Sequence, residues 1–155
     1  MILRRLGRRF KVIRQLALIG ERERLVRNFC ANYLLNDNFA LGVFTPDESR
    51  LMGWTAFLLR GRPVASQIGE IAMWITASDA GKGLGTRVLT ELLHWGFTAW
   101  LWHRLEWKCD TLNLASISVA RKAGLQLEAT HRHDSLHTDG TWRDTYTFAM
   151  LRDDF

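Results

Sequence analysis

The sequence predicts a mixed α/β fold of the α+β kind, a single-layer sheet with helices packed on it. Three observations carry the prediction. Apolar residues change from a helical to a two-residue period near residue 38. A glycine-rich turn, Ala80-Gly-Lys-Gly-Leu-Gly85, then joins a strand to a helix. Downstream, a strand, a short helix and two more strands follow within about fifty residues.

Each element has its own signal. Leu3, Leu6, Phe10, Ile13 and Leu16 recur at helical spacing, and after Gly20 the pattern resumes from Glu21 to Leu34. Phe39, Leu41 and Val43 alternate, and Thr45-Pro46-Asp47-Glu48 makes a turn. Met52, Trp54, Ala56 and Leu58 alternate next, before a break at Gly61-Arg62-Pro63. Ile71, Met73 and Ile75 complete a three-strand meander. Leu84, Val88, Leu92, Trp95 and Ala99 mark a strong amphipathic helix. Leu105, Trp107 and Cys109 alternate with Glu106, Lys108 and Asp110, a half-buried strand. Asn113 to Ala123 reads as a short helix ended by Gly124. Leu127–Arg132 and Trp142–Leu151 read as strands around a Thr138-Asp139-Gly140 turn.

Composition bounds the function classes. The 155 residues, 47% apolar and 24% charged, suit one globular domain spanning 1–155. Two cysteines exclude a disulfide scaffold, and Cys30 and Cys109 read as reduced, buried thiols. No apolar run approaches a membrane span. The N-terminus lacks the apolar stretch of a secretory signal and the serines of a mitochondrial presequence, so a cytoplasmic location is expected. The net charge of +5 is unevenly placed: residues 1–27 hold nine cations against Glu21 and Glu23, a local +7. The remainder holds twelve cations and fourteen anions, a local −2. This argues against a nucleic-acid-coating domain, the first reading for a basic chain. The arm reads as a docking helix for an acidic partner, the ribosome among them, or as a solvated helix face. Trp95, Trp100, Trp102 and Trp107 read as core or interface rather than a ligand cage.

The glycine turn is the main chemical motif. Gly81, Gly83 and Gly85 let backbone N–H groups approach an anion at a helix N-terminus, and Lys82 and Arg87 add charge there. A turn that only redirects the chain is the plain alternative. The Walker pattern GxxxxGK[ST] is absent, and the spacing is GxGxG rather than the GxGxxG of a dinucleotide fold.

The order Ala80-Gly81-Lys82-Gly83-Leu84-Gly85, then Asn113-Leu-Ala-Ser116 with Val119, Ala120, Lys122, Gly124 and Leu125, resembles the GNAT superfamily of N-acetyltransferases. The resemblance covers about residues 38–152, behind a basic helical segment at 1–34. Leu127-Glu128, Arg132, Asp139-Gly140, Asp144 and Tyr146 resemble the branch that acetylates ribosomal-protein N-termini, with its small-amine relatives. Two positions depart from the family pattern: Ala80 stands where a Gln or Arg is usual, and Ala120 where a tyrosine is.

The resemblance implies a GNAT-type acyl-CoA N-acyltransferase fold. Its sheet is mostly antiparallel, with a splayed parallel pair at the cofactor site between Glu70–Ile75 and Leu105–Asp110. It implies acetyl-CoA as cofactor, without a metal, and an amine acceptor, a peptide N-terminus or a small molecule. It places the cofactor on Met73, Trp74, Ile75, Gly81, Lys82, Gly83, Leu84, Gly85, Thr86, Asn113 and Ser116. It implies an oxyanion donor among the backbone N–H groups near Met73 or Trp74. Ser116 takes the place of the missing tyrosine as the acid, and Glu70, His133 or Asp134 serves as base. Asn113 and Ser116 have plain alternatives as helix-capping residues. His131, His133 and His137 give only a weak metal-ligand spacing. The family's opening strand has only Met1-Ile2-Leu3 to draw on, which leaves room for a strand from a second copy and hence a homodimer. Ala80 and Ala120 also keep open a binding module of the same fold without catalysis. The basic arm keeps open an RNA- or ribosome-associated protein.

Overall fold

The computed structural model describes residues 38–100 and 102–155. The predicted helices before residue 35, the strand at Met1–Leu3, the basic arm and Cys30 lie outside the described residues. The elements run β1 (Asn38–Phe44), β2 (Leu51–Leu58), β3 (Ile68–Ile75), α1 (Leu84–Thr98), β4 (Arg104–Asp110), α2 (Leu114–Lys122), β5 (Gln126–Leu136) and β6 (Trp142–Leu151). They form one six-stranded sheet in the order β1-β2-β3-β4-β6-β5. Pairings are antiparallel except β3 with β4, which α1 joins as a crossover.

The two-residue alternation decides which face each strand buries. Phe57, Ile71, Leu105, Trp107 and Phe148 share the core with Val88, Leu89, Leu92 and Leu93 of α1 and Ile117 and Ala120 of α2. Trp102 and Trp107 belong to this core, and Trp95 and Trp100 pack against it. Trp95 meets Trp100 edge-on at 5.3 Å, and Trp102 lies 5.9 Å from the Phe57 ring. Gly96 lets α1 come down on β4: a Cβ there would lie 2.8 Å from Leu105 Cδ1 and 3.2 Å from Trp102 Cδ1.

The opposite face carries charge. Arg104 Nε donates to Glu106 Oε1 at 2.9 Å, Arg104 Nη1 to Glu128 Oε1 at 3.0 Å, and Arg62 Nη1 to Glu106 Oε2 at 3.2 Å. Burial pushes the Glu106 carboxyl up, but the hydrogen bonds from Arg104 and Arg62 outweigh it and hold the group below its usual range. Glu128 is held low chiefly by Arg104.

One boundary differs from expectation. The strand predicted over Leu127–Arg132 extends to Leu136, because the chain absorbs a register shift between His131 and Ser135 and then pairs again with Arg143 and Trp142. His133, at φ +49, makes that irregularity, and its N–H donates to Asp144 Oδ1 at 2.9 Å.

Two stability predictions follow from this packing. Gly96→Val should lower the unfolding free energy by about 1–3 kcal/mol, since the helix must lift or Leu105 must leave its rotamer. An unchanged denaturation midpoint would contradict the seating of α1 on β4. For Glu106 and Glu128 the folded-state pKa is the lower one. Their contribution is therefore complete above the ordinary value of 4.5 and is lost as pH falls below it. Arg104→Met should accordingly show a smaller fall in Tm between about pH 7 and pH 3 than the wild type. An equal fall would show that Arg104 does not set these carboxyls.

Candidate active site

The site is built where the parallel pair comes apart. β3 and β4 are in register only at Ile68↔Arg104, Gly69↔Leu105 and Glu70↔Glu106. Beyond that point β3 stays paired to β2 as far as Gly53↔Ile75, and β4 to β6 as far as Asp110↔Thr145. Each strand therefore keeps its outer ladder and leaves its inner edge open.

Ladder alternation tells which groups line that edge. Thr76 N–H donates to Met52 O at 2.8 Å, so even-numbered β3 residues face β2. Gln67 O accepts from Arg104 N–H at 3.1 Å, so odd-numbered residues face β4. Met73 and Ile75 thus aim their N–H and C=O groups into the gap, whereas the Trp74 N–H faces β2. On β4, Thr111 N–H donates to Asp144 O at 3.0 Å, so odd positions face β6 and Lys108 and Asp110 face the gap. Of the two expected oxyanion donors, only Met73 has the required direction.

Two buried carboxylates, Glu70 and Glu106, stand opposite each other at the crotch. Each has its own cations. Arg60 Nη2 lies 2.6 Å from Glu70 Oε1 and Lys108 Nζ 3.9 Å from Glu70 Oε2, while Arg62 and Arg104 hold Glu106.

The glycine turn lies at the open end of β3. Gly81 and Gly83 have φ of +73° and +80°, with open space where a Cβ would stand. Gly83 is the N-cap of α1 without a side-chain cap, and the first turn holds no acidic residue. The first backbone bond of the helix is Arg87 N–H to Gly83 O, so the N–H groups of Leu84, Gly85 and Thr86 have no partner within α1. Gly85 allows a close approach: a Cβ there would be 3.4 Å from Val119 Cγ2 of α2. Lys82 Nζ donates to Ser78 O at 2.7 Å, which holds a cation beside the turn. Asp79 ties the preceding loop to the β1–β2 turn through Arg50 Nη2 at 3.0 Å and accepts from Thr76 Oγ1 at 2.6 Å. Those bonds hold its carboxyl far below the usual carboxylate range. Unspent donors, open space and a positive helix end fit a pyrophosphate.

The Asn113 side chain caps α2, its Oδ1 accepting from Ser116 N–H at 3.0 Å. A pantetheine contact from this residue falls to its Nδ2 donor. Ser116 Oγ accepts from Trp107 Nε1 at 3.0 Å. It also lies beside the Cys109 thiol, whose pKa burial pushes up against the opposing pull of Ser116. Glu70, Met73 and the glycine turn are thus brought to one strand and its exit. Ser116 is held over β4 by Trp107. His133 and Asp134 are not gathered there: β6 separates β5 from β4, about 10 Å of strand spacing.

The histidines are spent separately. His131 Nε2 lies 3.0 Å from Thr147 Oγ1 and His137 Nδ1 3.3 Å from Asp139 Oδ2. Among the described residues no three His, Cys, Asp or Glu side chains converge as a metal site. Sequence reasoning missed Trp107 as a partner of Ser116, and Arg60 and Arg50 as partners of Glu70 and Asp79. Only strand alternation marked Trp107, and it marked the residue as core.

The comparisons with known proteins agree with this geometry. Residues 9–126 match the model of the Acetyltransferase (GNAT) domain. The chain is 27% identical over 137 residues to the Probable N-acetyltransferase YjcK of Bacillus subtilis, covering 87% of this chain and 73% of that protein. In fold it is similar to the ribosomal-protein-S5-alanine acetyltransferase of Vibrio fischeri, with a TM-score of 0.74 and 19% identity, over 85% of this chain and 71% of that one. It is also similar to the dodecameric spermidine N-acetyltransferase of Vibrio cholerae, with a TM-score of 0.75 and 15% identity, over 87% and 77% of the two chains. GNAT acetyltransferases use acetyl-CoA, and the fold, the split sheet and the family match lead to one conclusion: the chain belongs to the GNAT acetyltransferase family and is an acetyl-CoA-dependent N-acetyltransferase.

Proposed function

We propose that this chain acetylates a primary amine, at a peptide N-terminus or on a small molecule, by direct attack of the amine on a bound thioester. The observation that carries the reading is the split between β3 and β4. It leaves Met73 N–H aimed into the gap, with the bare N-terminus of α1 at its open end. Acetyl-CoA, when bound, supplies the acetyl group as an activated thioester. The backbone N–H groups of Leu84, Gly85 and Thr86 hold the pyrophosphate, assisted by Gly81, Gly83 and the Lys82 charge. Ile75 and Lys108 offer backbone partners to the pantetheine amides, with Asn113 Nδ2 beside them.

Met73 N–H stabilises the negative charge that develops on the thioester oxygen. Glu70, ion-paired with Arg60 and Lys108, takes the proton that the amine gives up, through water. Ser116 donates its hydroxyl proton to the departing sulfur and regains one from solvent. A carbon–nitrogen bond forms, the carbon–sulfur bond breaks, and one proton leaves to solvent. His133 and Asp134 take no part in proton transfer and belong to the acceptor side of the edge hairpin. Residues 28–155, with twelve cations against fourteen anions, suit a cationic amine better than a polyanion.

Acetyl-CoA incubated with a panel of amines and N-terminal peptides, with free thiol followed, tests the reading. Amine-dependent thiol release supports it, and none with any acceptor contradicts it. Gly83→Glu places a carboxylate at the anion site and strains a positive φ, so KM for acetyl-CoA should rise at least tenfold. Wild-type KM in that variant would refute the pyrophosphate placement. Met73→Pro removes one N–H from the open edge. It should lower kcat about 100-fold with the circular dichroism spectrum kept. Trp74→Pro, whose N–H faces β2, should instead lower Tm; equal behaviour of the two would contradict the assigned directions.

A further inference from the structure

The Trp107 indole is buried in the core, yet its polar edge is turned to the one hydroxyl in the first turn of α2. Trp107 is also the first residue of β4 beyond the last position paired with β3. Indole nitrogen is a donor only, so the 3.0 Å contact has a single sense: Trp107 Nε1–H donates and Ser116 Oγ accepts. A serine hydroxyl has two lone pairs and one proton. With a lone pair taken by Trp107, the proton is directed away from that bond. The Cys109 sulfur, which also hydrogen-bonds with Ser116, is a weak acceptor for that proton. Accepting a hydrogen bond also polarises the O–H and makes it a better donor. A serine in a first helical turn ordinarily bonds back to its own backbone; here the strand holds it instead.

We propose that Trp107 is a positioning residue for acetyl transfer, fixing the Ser116 hydroxyl in the orientation that delivers its proton to the departing sulfur. The proposal rests on the reading of Ser116 as proton donor. Trp107 touches no reacting atom and acts through the serine alone. The indole therefore contributes to the rate only while Ser116 is present, and it contributes to kcat rather than to KM for acetyl-CoA.

A double-mutant cycle on the full chain separates the two claims. Ser116→Ala tests the serine, and Trp107→Phe removes the indole N–H. Replacement of Trp107 by benzothienylalanine removes the same donor with the ring shape kept, and covers the case in which phenylalanine leaves the core loose. Trp107→Phe should lower kcat about tenfold with KM for acetyl-CoA held, and should have no effect in the Ser116→Ala background. In cofactor-free protein, the Trp107 indole N–H resonance, assigned through bonds, should move upfield in Ser116→Ala while the other indole resonances stay.

A loss in Ser116→Ala with full kcat in both Trp107 replacements overturns the positioning role and leaves the serine reading intact. Equal losses from Trp107 replacement in both backgrounds assign it a purely structural role and also overturn the proposal. Full activity in Ser116→Ala overturns the serine reading and the proposal together. An unmoved indole resonance refutes the hydrogen bond itself.

Discussion

The end of β3–β4 pairing at Glu70 and Glu106 is the constraint on which the rest of the structure depends. Two buried carboxylates face each other across the last parallel pair, an arrangement that repels unless each is neutralised. Arg60 and Lys108 attend one, Arg62 and Arg104 the other, so each carboxylate meets cationic partners where it lies buried. Past this point the strands follow their outer partners, β2 and β6, and the sheet opens. The opening creates a set of unpaired backbone groups in the middle of a sheet. Such groups are costly in a buried sheet and useful where an extended ligand pairs with them.

The glycine turn and the gap form one continuous groove because β3 leads from one to the other. Met73 and Ile75 line its upper edge, and the chain then turns through Thr76 and Asp79 to the bare N-terminus of α1. Arg50, from the β1–β2 turn, anchors that loop through Asp79. The other side of the groove is fixed by α2. Its capping by Asn113 and the Trp107–Ser116 bond tie the helix to β4 at its first turn. Backbone geometry and a few tethering side chains thus set the site, with little demand on the exposed residues around it.

Most of the scaffold was legible in the sequence. Two-residue alternation found β1 to β4, and the three- to four-residue pattern found α1, because burial of one face writes itself directly into hydrophobic spacing. Gly81 and Gly83 were legible because positive φ favours glycine. What alternation could not show was pairing between distant charges: Arg60 with Glu70, Arg50 with Asp79, and Arg104 with both Glu106 and Glu128. Any surface arginine reads alike until the sheet order brings it to its partner. The extension of β5 past Arg132 was hidden for a related reason. His133 adopts a left-handed conformation, and its N–H donates to the Asp144 side chain on the neighbouring strand. Trp107 was read as core, which it is, while the direction of its N–H depends on a helix nine residues on.

The most direct test of the split sheet is hydrogen–deuterium exchange with and without acetyl-CoA. In the free chain the amides of Met73, Ile75 and Lys108 should exchange far faster than their ladder-bonded neighbours Trp74 and Trp107. Acetyl-CoA should slow Met73, Ile75 and Lys108 together with Leu84, Gly85 and Thr86, and leave Trp74 unchanged. Protection of Met73 in the free chain, or exchange at all six amides unaltered by acetyl-CoA, would contradict the account.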